Sequence, residues 1–165
     1  MERPDLSIRF LFRQDRGRVS RQIWWAGTLG LALILAAMTD IWLLIGGGAA
    51  RSLEKQTPLF DPRTALVYTY LVVFALAVLL IAVCHYNLSA KRLRDRGRLP
   101  GLAGILPLAA LLTGAAHWMQ GQLKDVLAAD ALPDWSLWLM DGAMLLVLVW
   151  VVAEMGIGLS RPAAR

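Results

Sequence analysis

Residues 65–86 read ALVYTYLVVFALAVLLIAVCHY, a stretch without one Asp, Glu, Lys or Arg. At 1.5 Å rise per residue, a helix over it extends about 33 Å and crosses a hydrocarbon core of about 30 Å. Backbone groups in lipid have no water to bond, so a segment this apolar has to be helical. Working outward, three more stretches share this character, which places spans at about residues 23–45, 62–86, 100–119 and 135–159. Ser20 is a candidate N-cap for the first span and Gly46-Gly47-Gly48 closes it. Asp61-Pro62 opens the second with a capping carboxylate and a proline at the first helical position, and Asp134 can cap the fourth. Composition agrees: 58% hydrophobic residues and a mean hydropathy of +0.55 leave too little polar surface for a soluble domain. The expected protein is an all-α integral membrane protein, a four-transmembrane-helix bundle over 23–159 flanked by a basic segment 1–22 and a short tail 160–165. The first apolar run starts too late and is too long for a signal peptide, so it reads as a retained helix.

Charge sets the expected orientation. Residues 1–22, 87–99 and 160–165 hold thirteen of the seventeen Lys and Arg residues, and the two loops on the other side hold Arg51, Lys55, Arg63 and Lys124. By the positive-inside rule both termini are cytoplasmic, and Trp24, Trp25, Trp135 and Trp138 fall at the membrane interfaces. Leu6, Ile8, Phe10, Leu11 and Phe12 alternate with Arg9 and Arg13, as in a segment lying on an anionic leaflet. Leu123, Val126 and Leu127 have the spacing of a short helix on the outer face.

Two basic motifs flank the spans: GRVSRQIWW (Gly17–Trp25) and AKRLRDRGRLPG (Ala90–Gly101). Together they resemble the bacterial inner-membrane family called domain of unknown function 805. Members of that family look like G-R-[small/apolar]-S-R-x-x-[aromatic]-W at the first place and R-R-L-H-D-x-G-R-S-x-W-W at the second. Gly17, Arg18, Ser20, Arg21, Trp24 and Trp25 match the first pattern; Arg92, Leu93, Asp95, Gly97 and Arg98 match the second. Arg94 stands where the family has histidine, and Leu99-Pro100-Gly101-Leu102 replaces the serine and aromatic pair. The resemblance implies a four-helix fold in the bacterial inner membrane and no particular activity.

Two constellations are candidate sites. Arg18, Arg21, Arg92, Arg94 and Arg98 gather at the inner interface, where guanidinium forks suit the phosphate of an anionic lipid head group. The competing reading is that these arginines set topology alone. Asp95 and Glu154 are expected as structural charge partners, Asp95 for Arg21 or Arg92 and Glu154 for a motif arginine. Toward the outer side, Asp40 and His117 each lie about 25 Å along their spans and Asp141 about 9 Å from Trp135, an intramembrane polar cluster on three helices. Ala103, Pro107, Ala110, Gly114 and His117 form a small-residue stripe suited to close packing, and Pro107 is expected to kink span three.

The remaining chemistry is sparse. Cys84, the single cysteine, reads as a packing residue and excludes an intrachain disulfide. No catalytic residue, metal site or cofactor is expected, since the nucleophile, zinc and nucleotide motifs are missing from the sequence. A nucleic-acid partner is not expected, because the basic residues adjoin apolar spans. The preferred reading is an accessory or scaffold protein whose basic face binds anionic lipid, a membrane-protein partner or a second copy. The alternatives are a small oligomeric transporter or channel using Asp40, His117 and Asp141, and a lipid-modifying enzyme.

Overall fold

A computed structural model describes residues 7–14, 16–46, 62–127 and 133–158. Among these residues all the regular structure is helical: α1 is Arg21–Gly46, α2 Pro62–Asp95, α3 Ile105–Leu127 and α4 Asp134–Val151. Three short pieces complete it: an N-terminal π-helical turn (Arg9–Arg13), a 3₁₀ turn (Pro100–Gly104) that leads into α3, and a π-helical turn (Val152–Ile157) that continues α4. The protein has four helical stretches long and apolar enough to cross a membrane, Arg21–Ile45, Thr64–Asp95, Pro100–Gln120 and Trp135–Ile157. Of their most apolar windows only 6%, 6%, 11% and 6% is buried inside the chain, so the apolar surface faces outward. That is the distribution of a multi-pass membrane protein, whose solvent is lipid.

Ser20 does cap α1: its Oγ accepts from the Ile23 amide at 3.4 Å and its carbonyl from the Trp24 amide at 3.0 Å. Pro62 is the first residue of α2, where a missing N–H costs nothing. Asp61 and residues 47–48 lie outside the described residues, as does Leu6.

The largest departure from expectation is at the other end of α2. The expected span ends near residue 86, but α2 continues into the second basic motif as far as Asp95, because Leu, Ala, Lys and Arg are all good helix formers. The helix then stops on Gly97, in the left-handed region at φ 69°. The Arg98 amide donates to the Leu93 carbonyl at 2.9 Å and the Gly97 amide to the Arg94 carbonyl at 3.0 Å, the paired bonds of a Schellman cap. Gly97→Ala is therefore expected to lower stability by about 1 kcal/mol, since a Cβ is disfavoured at this φ. Thermal unfolding in detergent reads this directly; an unchanged midpoint would contradict the cap's role.

Span three also differs. The chain passes from 3₁₀ to α at Ile105, so Pro107 sits in the first turn of α3 and removes no hydrogen bond there; the expected mid-span kink is replaced by this junction. Of the small-residue stripe, Ala103 is buried, but Ala110, Gly114 and His117 are exposed. The residues lining the α3–α4 crevice are instead Ala109, Leu112 and Thr113, against Met140, Ala143 and Met144. Leu123, Val126 and Leu127 belong to the continuous α3 rather than to a separate surface helix. Pro133 is the N-cap of α4, with Asp134 its first residue.

The helices pair as two hairpins, α1 with α2 and α3 with α4. Toward the end of the first pair where α1 ends and α2 begins, Tyr70 stacks between Trp42 and Phe74, and its hydroxyl donates to the Met38 carbonyl at 2.7 Å. The hairpins join where α1 begins and α2 ends: the 3₁₀ turn packs on α2, and the turn after α4 packs on α1 and α2. The buried cluster lies there, in Val19, Trp24, Leu88, Ala90, Leu93, Ala103, Val151 and Met155.

Candidate functional site

The last turns of α2 organise this end of the molecule. Residues three, four and seven apart share a helix face, and α2 uses two faces for two tasks. On one, Asn87 Nδ2 donates to the Phe12 carbonyl at 2.7 Å, and Lys91 Nζ donates to the Leu11 carbonyl at 2.9 Å and to that of Phe10. Lys91 Nζ also stands 4.7 Å over the Phe10 ring. These bonds hold the N-terminal turn, whose carbonyls no regular helix would satisfy.

On the opposite face stand His85, Ser89 and Arg92, all buried. Ser89 Oγ accepts from the Trp24 indole at 3.1 Å and lies 3.5 Å from His85 Nε2. Ser89 has no exposure and His85 is buried, so this hydroxyl and imidazole belong to the packed interior. Arg92 also has no exposure. Its Nε donates to the Met155 carbonyl at 2.9 Å, its Nη2 to the Gly158 carbonyl at 2.6 Å and its Nη1 to Asp95 Oδ2 at 2.5 Å. The first two acceptors are carbonyls at the C-terminal end of the α4 helix, where its dipole is negative and cations are favoured.

Glu154 anchors the same junction. Its Oε1 lies 3.0 Å from Arg98 Nε and 3.1 Å from Arg96 Nη1; the latter is an ion pair by distance, without hydrogen-bond alignment. Next to it Trp25 Nε1 donates to the Gly156 carbonyl at 3.1 Å, and Trp24 and Trp25 meet edge to face with centroids 5.2 Å apart. A Cβ on Gly156 would come within 2.7 Å of the Trp25 ring, so glycine is what admits the indole pair. Trp24, expected at the lipid interface, is therefore a core residue at 1% exposure; Trp135 and Trp138 are exposed.

The anion-site arginines divide accordingly. Arg92 faces inward with every donor group engaged by the protein, which removes it from any lipid-facing surface. Arg94 is half-buried and engaged, and Arg98 is exposed but paired with Glu154. Arg18 and Arg21 are exposed, as are Arg9, Arg13 and Arg16. None of these five forms an ion pair among the described residues. Among the described residues the available positive charge thus lies on the N-terminal segment and the start of α1, while the second motif uses its charge to join the hairpins. Asn87, Ser89, Gly156 and the carbonyls of residues 10–12 were not legible as site components; the only hint was the i, i+4 spacing of Asn87 and Lys91.

In the expected outer cluster, His117 Nε2 and Asp141 Oδ1 meet at 2.9 Å between α3 and α4, both about half exposed. Asp40 does not join them: it is exposed on α1, a helix whose interfaces are with α2 and the turn after α4. Among the described residues, no three His, Cys, Asp or Glu side chains converge as metal ligands. The chain matches no protein-family model, no curated protein and no solved structure.

Proposed function

We propose that this protein is an accessory or scaffold protein of the bacterial inner membrane that engages anionic lipid through its N-terminal basic segment. The supporting observation is that Arg9, Arg13, Arg16, Arg18 and Arg21 are exposed and unpaired among the described residues, on a segment whose Phe10, Leu11 and Phe12 pack against the core. A basic segment fixed at the head-group level attracts an anionic leaflet by about 1 kcal/mol per Arg. The likeness of the two motifs to domain of unknown function 805 agrees with this location.

Reconstitution into mixed phosphatidylglycerol and phosphatidylcholine nanodiscs, followed by analysis of the bound lipid, tests the reading. Wild type is expected to enrich phosphatidylglycerol, and a variant with Arg13, Arg18 and Arg21 changed to Gln to lose most of that enrichment, up to about a hundredfold at about 1 kcal/mol per residue. Equal lipid composition around both proteins would reject it. A second reading, a small oligomeric transporter or channel, is favoured by the His117–Asp141 pair on the α3–α4 hairpin. It requires a proton or cation flux in liposomes that Asp141→Asn abolishes.

A further inference from the structure

Between α1 and α2 runs an apolar groove of about 430 Å³, with Phe12, Gly27, Gly30, Leu31, Leu80 and Cys84 on its walls. The volume is within the range of ~300–1,000 Å³ usual for small-molecule sites. On α1 it extends from residue 26 to residue 34, about 12 Å along the axis. The groove is preformed at one end, because Asn87 holds the carbonyl of Phe12 and Lys91 that of Leu11. It stays open at Gly30, where a Cβ would meet no atom within 4 Å.

The charge around the groove is one-sided. Phe12 closes the end next to the N-terminal segment, and Arg13, exposed and unpaired, follows it directly. Arg18 lies just before α1, whereas Arg21, at 100° per residue, shares the α1 face of Trp24 and Trp25 and turns away from the groove. An apolar slot ending at exposed guanidinium groups has the complementarity of a single amphiphile with a phosphate head.

We propose that this groove seats an acyl chain of one anionic phospholipid whose phosphate is bound by Arg13 and Arg18. The proposal rests on the lipid-facing role of the basic segment and adds to it a defined, stoichiometric site. Binding of one lipid would tie α1, α2 and the N-terminal turn together, three elements whose groove walls otherwise leave apolar surface uncovered.

Native mass spectrometry of the full chain in detergent tests it, with phosphatidylglycerol or phosphatidylcholine added. Wild type is compared with Gly30→Leu, which fills the groove, and with the triple Arg13→Gln, Arg18→Gln, Arg21→Gln variant; thermal unfolding establishes that each is folded. Wild type is expected to retain one phosphatidylglycerol and no phosphatidylcholine, Gly30→Leu to bind it about tenfold more weakly and the triple variant up to about a hundredfold more weakly. If Gly30→Leu binds like wild type while the triple variant does not, the groove site is overturned and the basic-segment reading stands. If both variants bind like wild type, both readings fall. Equal retention of the two lipids by wild type overturns the phosphate contact, and a lipid-free dimer would mean that a second copy covers the groove. Cys84 supplies a measurement without substitution, being the only cysteine and on the groove wall. Phosphatidylglycerol is expected to slow its alkylation by N-ethylmaleimide about tenfold and phosphatidylcholine to leave it unchanged; no protection by phosphatidylglycerol overturns the proposal.

Discussion

Arg92→Ala is expected to destabilise the protein by about 3–5 kcal/mol, the usual consequence of breaking a buried ion pair from one side. The substitution leaves the carbonyls of Met155 and Gly158 without their donors and Asp95 without its nearest cation. It also opens space beside Leu88 and Met155, both without exposure. Arg92→Lys is expected to recover only part of the loss, because one ammonium group cannot serve three acceptors arranged around a planar fork. Thermal unfolding of the detergent-solubilised protein measures the series. A wild-type midpoint for Arg92→Ala would show that the hairpins are held by something other than this side chain. Surface substitutions among the unpaired arginines supply the contrast: Arg18→Gln and Arg21→Gln are expected to change the midpoint little, since exposed residues without partners contribute little to stability.

The second large effect is expected at Trp24, where truncation to alanine should cost about 3–5 kcal/mol. The indole is 1% exposed in the cluster that joins α1, α2 and α4, so removing it leaves a cavity that three elements border. Trp24→Phe separates the two contributions. It keeps most of the apolar volume but removes the Nε1–H donor, leaving the Ser89 hydroxyl with only His85 nearby. A double-mutant cycle with Ser89→Ala should return a coupling of roughly 0.5–3 kcal/mol if the 3.1 Å bond contributes as the geometry indicates. No coupling would reduce Trp24 to a space-filling residue.

These two side chains mark where a reading from sequence ran out. Both were visible as motif residues, yet each was expected at the membrane interface, Arg92 on lipid phosphate and Trp24 in the head-group belt. Arginine and tryptophan do favour that depth. Here a protein partner competes with lipid for them and wins: Gly156 leaves room for the indole pair, and the end of the α4 helix presents carbonyls to the guanidinium. Neither partner is near in sequence. Met155 lies 63 residues from Arg92, and the Leu11 carbonyl 80 residues from Lys91.

The expected outer cluster divides for a related reason. His117 and Asp141 sit on helices that pair as a hairpin, so their approach follows from connectivity. Asp40 belongs to the other hairpin, and equal depth in a membrane says nothing about lateral position.

Composition and periodicity alone determined the helical class, the four long apolar helices and the cap at Ser20, because these follow from local chemistry: uncharged length and a side-chain acceptor. The Arg92–Asp95 pairing, three residues apart on one helix, was of the same local kind. Only the tertiary structure decided which cations turn inward to join the hairpins and which stay exposed. That choice depends on where the carbonyl-rich ends of distant helices arrive, and a charge in lipid goes to whichever buried acceptor is close enough to satisfy it.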